Sequence, residues 1–214
     1  MEKMSDFFAA RVDGYDEHML NDVEGCEEGY KKMAGQLPAD AKKLLDLGCG
    51  TGLELDEIFK CFPQLEVTGI DLTLEMLLKL REKHSDKHMD LIHASYFDCD
   101  LGVHRYDAVV SFQTMHHFTH SKKIALYKKI YNSLQDGGRY IECDYMVETQ
   151  REEDHWFAEN KRIREELGIP MDEFYHYDTP CSFNNQVKML LKAGFEKTEM
   201  VYRRGNTTMI AAYR

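Results

Sequence analysis

The chain has 214 residues, 27 basic and 38 acidic, with a formal net charge of -11. That length fits one domain, residues 1–214, with a substantial core, and the acidic balance repels nucleic acid phosphates and anionic membranes, so the favoured partner is a small molecule. Six dispersed cysteines without a C-x-x-C pair, no membrane-length apolar run and no signal-peptide pattern in MEKMSDFF predict free thiols in a reducing cytoplasm. Cys and His residues without ligand spacing predict no metal site.

Residues 1–40 mix aromatics with acids and read as one or two helices ended by Pro38, preceding any strand. Phe7, Phe8, Tyr15 and His18 are aromatics that a docked helix buries, and Tyr15, flanked by Gly14 and Asp16, is the candidate ligand contact. Next comes LLDLGCGTGLELDEIF, residues 44–59. Leu44, Leu45 and Leu47 suit a strand buried on both faces, and Gly48, Gly50 and Gly52 suit a tight turn that leads into a helix. Free N–H groups at that helix start suit the polar part of a nucleotide-like ligand. Leu53 stands where the third glycine of G-x-G-x-x-G would fall, which turns the loop away from a dinucleotide. VTGIDLTLEMLLKL then supplies a second strand, an acid at its end, Asp71, and a helix over roughly 73–84. A carboxylate there can accept hydrogen bonds from both hydroxyls of a ribose.

The glycine loop and Asp71 together resemble the class I S-adenosylmethionine-dependent methyltransferases. The resemblance implies S-adenosylmethionine as cofactor: Asp46, Gly48, Cys49, Gly50 and Gly52 around its methionine portion, Asp71 on the ribose with Leu72 and Met76 beside it, and residues 1–40 as a helical lid that brings Tyr15 to the site. It also implies a doubly wound, Rossmann-like α/β fold, a seven-stranded sheet of order 3-2-1-4-5-7-6 with an antiparallel last strand. Where relatives commonly carry an acid for adenine, after the third strand, this chain has Ser95. Ser95 as a weak partner, Tyr96 or Phe97 as a stacking surface, and Asp98 in a shifted register are the alternatives.

RYDAVVSFQTMHHF forms the fourth strand and delivers Gln113, His116 and His117 beyond its carboxyl end, where open α/β sheets bind ligands. Adjacent histidines cannot both point the same way, so one is a candidate base, His116 first, and the other structural. From 119 to 134 apolar residues keep helical spacing, with Lys122, Lys123, Lys128 and Lys129 between them as solvent-facing positions. Asp136-Gly137-Gly138 and RYIECDYM give a turn and the fifth strand, with Asp144, the second candidate base, at its end. Residues 146–180 form an insertion above the acceptor pocket, a charged helix and an aromatic loop, where Trp156 and Tyr175-His176-Tyr177 are candidate substrate contacts. Ser182 caps a helix through Ala193, and a hairpin turning at Gly205-Asn206 closes the sheet.

The expected activity is methyl transfer from S-adenosylmethionine to an O, N or C nucleophile of a small molecule, by a monomer or homodimer. A nicotinamide-dependent oxidoreductase, opposed by Leu53, and a non-catalytic S-adenosylmethionine-binding protein are the alternatives. An RNA methyltransferase is disfavoured by the net charge.

Overall fold

The computed structural model describes residues 1–170 and 172–214. Five strands run parallel: β1 (Lys43–Leu47), β2 (Glu66–Asp71), β3 (Met89–His93), β4 (Tyr106–Phe112) and β5 (Leu134–Val147). β6 (Cys181–Ser182) adds a two-residue parallel pairing to β5, and β7 (Lys197–Arg204) and β8 (Thr207–Tyr213) form the antiparallel hairpin. The order is β3-β2-β1-β4-β5-β8-β7. Counting without the short β6, this is the 3-2-1-4-5-7-6 order that the sequence implied.

Alternating residues of the central strands feed two cores. Leu45 and Leu47 of β1, Val109 of β4 and Tyr140 of β5 pack on one face, against α6 (His120–Ser133) and α8 (Phe183–Ala193). Leu44, Val110 and Ile141 pack on the other, against α4 (Leu53–Cys61) and α5 (Leu74–Lys83). Burial on both faces is why these strands read as near-continuous apolar runs. Asp136-Gly137-Gly138 does not simply separate helix from strand: β5 starts at Leu134 and bulges, its register against β4 jumping between Tyr106↔Leu134 and Ala108↔Arg139.

The N-terminal region holds three helices, α1 (Met4–Ala9), α2 (Val12–Asn21) and α3 (Cys26–Ala34), rather than one or two. α3 joins the core through Tyr30 and Met33, and Gly29 lets Tyr30 stack on Phe112 at 3.9 Å. α2 is tied to the body by Thr51 Oγ1 donating to Asp16 (2.5 Å) and Lys79 Nζ donating to the Val12 carbonyl (2.8 Å). The insertion contributes α7 (Gln150–Leu167), started by a capping box between Thr149 and Glu152. Its following loop zips to the chain start: Met4 N–H donates to Phe174 O (3.1 Å) and His176 N–H to Glu2 O (3.0 Å).

One lysine departs from the helical pattern. Lys123 of α6 is fully buried, not solvent-facing, with Nζ 3.2 Å from Gln186 Oε1 and 3.5 Å from Cys181 Sγ. It faces Glu142 of β5, whose carboxyl accepts from Tyr127 (2.8 Å) and Gln186 (2.7 Å). Burial raises Glu142 to about 7 against the opposing pull of Lys123. Among the described residues no helix is long and apolar enough to cross a membrane.

Gly52 caps α4 at φ 75°, and a Cβ there would collide with Leu80 Cδ1. Gly52→Ala is therefore expected to cost about 1–3 kcal/mol, read as a lowered midpoint in urea unfolding; an unchanged midpoint contradicts this account of the loop.

Candidate functional site

The glycine loop leaves β1 at its carboxyl end and is sewn to β2, because Gly48 and Cys49 N–H both donate to Ile70 O (2.8 and 3.3 Å). Gly48 takes φ 72°, and Thr114 lies so close that a Cβ would sit 2.6 Å from its Oγ1. Gly50, at φ 47°, faces open space: nothing approaches a Cβ position nearer than Tyr15 at 3.9 Å. Asp71 holds the loop from β2, its Oδ2 accepting Gly50 N–H (2.9 Å) and its Oδ1 accepting Thr73 N–H (2.8 Å). Each oxygen keeps a further lone pair for a ligand hydroxyl. Burial raises the Asp71 carboxyl, and those two amides pull it back.

Two cavities meet above this loop. The first is a narrow cleft of about 60 Å³ whose wall contains Tyr15, Gly48, Gly50, Asp71, Leu72 and Met76, together with Ser95, Tyr96 and Gln113. Most of the sequence candidates for the cofactor therefore converge. Three do not reach the cleft. The Cys49 side chain packs beneath Gly69, Gly52 caps α4, and Asp46 is fully buried, so these act through the backbone or from behind. Ser95 spends its hydroxyl on Phe97 N–H (3.3 Å), and Tyr96 bonds Thr114 (3.0 Å), leaving Tyr96 and Phe97 as an apolar wall. Asp98 is absent from the wall. Thr114, Phe118 and Phe174 line the cleft without having been singled out; Thr114 alone carried a hint, as the neighbour of Gln113.

The second cavity, about 780 Å³, shares Phe8, Tyr15, Gln113 and His117 with the first. Its size falls within the usual range for small-molecule sites, whereas the first is far smaller, and Tyr15 of α2 stands between the two. Gln113 sits at the junction at φ 51°, a conformation that non-glycine residues rarely hold. Its N–H donates to Cys143 O (2.8 Å) and its amide to Thr207 Oγ1 (3.3 Å), which keep it there.

His116 and His117 occupy a short 3₁₀ turn after β4. His116 Nδ1 lies 2.5 Å from Asp144 Oδ1, and its Nε2 faces Asp178 Oδ1 at 3.4 Å. Burial by itself lowers this imidazole, but the Asp144 and Asp178 carboxylates outweigh it and lift it to about 9. His117, equally enclosed and beside His116, is pushed well below its ordinary value by burial and by that neighbour. Asp144 is buried and reaches the cavity only through His116, so it is a positioning group rather than a second base. Asp178 comes from the insertion loop, and no motif announced it. Of the aromatic candidates in the insertion, His176 lines the large cavity, while Trp156, Tyr175 and Tyr177 do not.

Behind the loop, Asp46 and Glu54 are two buried, neighbouring carboxyls. Burial, then the Glu54 charge, drives Asp46 well above the carboxylate range, and burial raises Glu54 to about 7.

A central parallel sheet, a glycine loop with an open cradle and a strand-end acid make a site suited to a nucleotide-type ligand. Comparison agrees: residues 44–138 match the family model described as a methyltransferase domain. A carboxy-S-adenosyl-L-methionine synthase of Nautilia profundicola is 25% identical over 199 residues, covering 82% of this chain and 79% of that protein. Among solved structures, a putative O-methyltransferase from Nostoc punctiforme superposes with a TM-score of 0.72 at 20% identity, over 100% of this chain and 62% of that one. Human N-acetylserotonin methyltransferase, in complex with its cofactor, gives 0.65 at 16% identity, over 97% and 55%. The chain thus spans less than two thirds of these two neighbours. Residues 44–138 carry a methyltransferase domain, and the similarity to S-adenosylmethionine-using proteins supports S-adenosylmethionine as the cofactor. The residues present fit that molecule, in the unfilled face of Gly50 and the spare lone pairs of Asp71.

Two expectations follow. Asp71→Ala should weaken S-adenosylmethionine binding about tenfold or more, as the loss of charge-assisted hydrogen bonds, measured by calorimetry; undiminished affinity would remove Asp71 from the site. The raised Glu54 carboxyl makes the folded state bind more protons than the unfolded state, so its contribution to stability falls as pH rises from about 4.5 to about 7. Glu54→Gln removes that loss, and its melting temperature relative to the parent should rise between pH 5 and pH 8; parallel curves refute the assignment.

Proposed function

We propose that the chain methylates a small molecule held in the 780 Å³ cavity, at an oxygen, nitrogen or carbon nucleophile, with a hydroxyl as the best-suited acceptor. The observation that carries this reading is His116, fixed at Nδ1 by Asp144 and presenting Nε2 to the cavity that adjoins the cofactor cleft. S-adenosylmethionine supplies a methyl group on a positively charged sulfur. The protein then has to align acceptor and methyl carbon and exclude water, which is positional work. Phe8, Tyr15 and Gln113, common to both cavities, do the aligning. At His116 Nε2 the acceptor's hydroxyl meets the protein and its proton is handled; Asp144 sets the ring's orientation. The reading includes a cytoplasmic enzyme, monomeric or homodimeric, acting on no nucleic acid.

A second reading comes from the relatives named carboxy-S-adenosyl-L-methionine synthase, in which the product is a modified cofactor. Mass spectrometry separates the two. The protein is incubated with S-adenosylmethionine and a panel of phenols, amines and carboxylic acids. Methyl transfer yields S-adenosylhomocysteine and an acceptor heavier by one CH₂; carboxylated cofactor instead replaces this proposal by the second reading. For an identified acceptor, His116→Ala should lower kcat about 10²- to 10⁴-fold with little change in cofactor affinity. An undiminished kcat takes His116 out of the reaction.

A further inference from the structure

The floor of the large cavity brings together three metal-ligating atoms that lie far apart in sequence. His116 Nε2 and His117 Nδ1 stand 3.4 and 3.5 Å from the same oxygen, Asp178 Oδ1, and all three lie within 4.8 Å of one another. An ion about 2.1 Å from each of three tetrahedral ligands sets those ligands about 3.4 Å apart. We propose that His116, His117 and Asp178 bind a divalent first-row metal ion of the zinc type, three protein ligands leaving an open coordination position toward the acceptor cavity.

The surroundings are those of a built site. Asp178 Oδ1 is buried and makes no well-aligned hydrogen bond, its near polar neighbours being the two imidazole nitrogens at 3.4 and 3.5 Å. Among the described residues, no Lys or Arg pairs with Asp178 or Asp144; histidines are their only basic partners. Asp144 on His116 Nδ1 is the outer carboxylate that orients a metal-bound imidazole and frees the other nitrogen for the ion. The loop is pinned where the third ligand is needed, since Thr179 N–H (2.7 Å) and Oγ1 (3.0 Å) both donate to His116 O. The remaining contact of His117 Nδ1 is long, 3.3 Å to Tyr177 O, and an arriving ion displaces it. Two imidazoles with one carboxylate suit zinc, iron or cobalt rather than magnesium or calcium.

The other cluster of similar composition, His120, Glu153 and Cys181, makes an instructive contrast. There Glu153 already accepts Ser182 N–H (2.6 Å) and Asn185 (2.9 Å). Burial holds the Cys181 thiol up at about 11, the Lys123 ammonium lies 3.5 Å from its sulfur, and His120 Nε2 stands 2.6 Å from Glu153 Oε1, so that cluster carries its own cation beside a protonated thiol.

This inference deepens the methyl-transfer reading and rests on its assignment of the acceptor cavity. An ion held there would acidify an acceptor hydroxyl at its open position, the proton leaving to bulk solvent, and the oxygen would form the bond to the methyl carbon as the carbon–sulfur bond breaks, the electron pair staying on sulfur. His116 would then activate the acceptor through the ion it holds.

The test needs neither cofactor nor acceptor. The full chain, stripped with chelator and dialysed, is titrated with Zn²⁺ by calorimetry and with Co²⁺ by visible absorption. About one equivalent should bind, with the ligand-field bands of an imidazole and carboxylate site. His117→Ala and Asp178→Ala should each weaken Zn²⁺ at least about tenfold and Asp144→Asn about 10- to 100-fold, with circular dichroism unchanged, whereas His120→Ala should bind as the parent does. Absent binding, binding unaffected at His117 and Asp178, or binding lost with His120 overturns the proposal. Should a variant fail to fold, Asp178→Asn, which keeps the shape and removes the charge, decides in its place. Methyl transfer without metal binding leaves the previous reading standing alone; metal binding with no methylated product across the panel refutes that reading and retains the metal site.

Discussion

The site depends on three neighbouring parallel strands ending on the same edge of the sheet and on what the chain does on leaving them. Asp46 pairs with Val110 and Phe112 with Cys143, so β1 and β4 end side by side while β5 runs on to Val147 beside them. β1 exits through Gly48 and β4 through Gln113, both left-handed, which turns the backbone sharply upward and leaves Thr114 pressed against Gly48. A glycine holds that conformation readily. Gln113 holds it only because Cys143 O and Thr207 fix it, so part of the folding energy of β5 and β8 is used to keep a strained residue where cofactor and acceptor meet.

The second constraint is charge. Asp46, Glu54, Glu142 and Asp144 are all buried, an arrangement that stability alone does not favour. Each is accommodated differently. Asp46 and Glu54 are pushed above the ordinary carboxylate range behind the loop, Glu142 is surrounded by Tyr127, Gln186 and the Lys123 cation, and Asp144 is matched by His116. Glu142 and Asp144 sit on the same face of β5, with the Lys123 cation near the first and His116 on the second, so two neighbouring buried acids are each met by a basic group. The acceptor side of the site is thereby connected to the core between β5 and α6.

What could be read in the sequence follows from which interactions are local. The glycine loop, Asp71, the strand order and the capping by Ser182 are written in short windows, because turn geometry and period-2 burial act over a few residues. Lys123 deceived, since a lysine between helical apolar positions normally points to water; only the two-residue β6 and the packing of α8 against α6 enclose it. Trp156 was an attractive candidate by composition, yet α7 turns it away from the cavity. Asp178 had no signal at all, because its meaning depends on a contact across more than sixty residues of chain.

That contact shows how this fold acquires an acceptor site. The sheet edge provides the cofactor loop, which every parallel sheet with a glycine turn can approximate. The wall opposite comes from chain outside the sheet: α1 and α2 on one side, the loop at 174–179 on the other, joined to each other by the Met4–Phe174 and His176–Glu2 hydrogen bonds. The loop that carries Asp178 is therefore tied to the chain start at Glu2 and Met4, while Thr179 anchors it to the carbonyl of His116. That wall is held together mainly by backbone hydrogen bonds, which do not depend on the identity of the side chains that line the cavity.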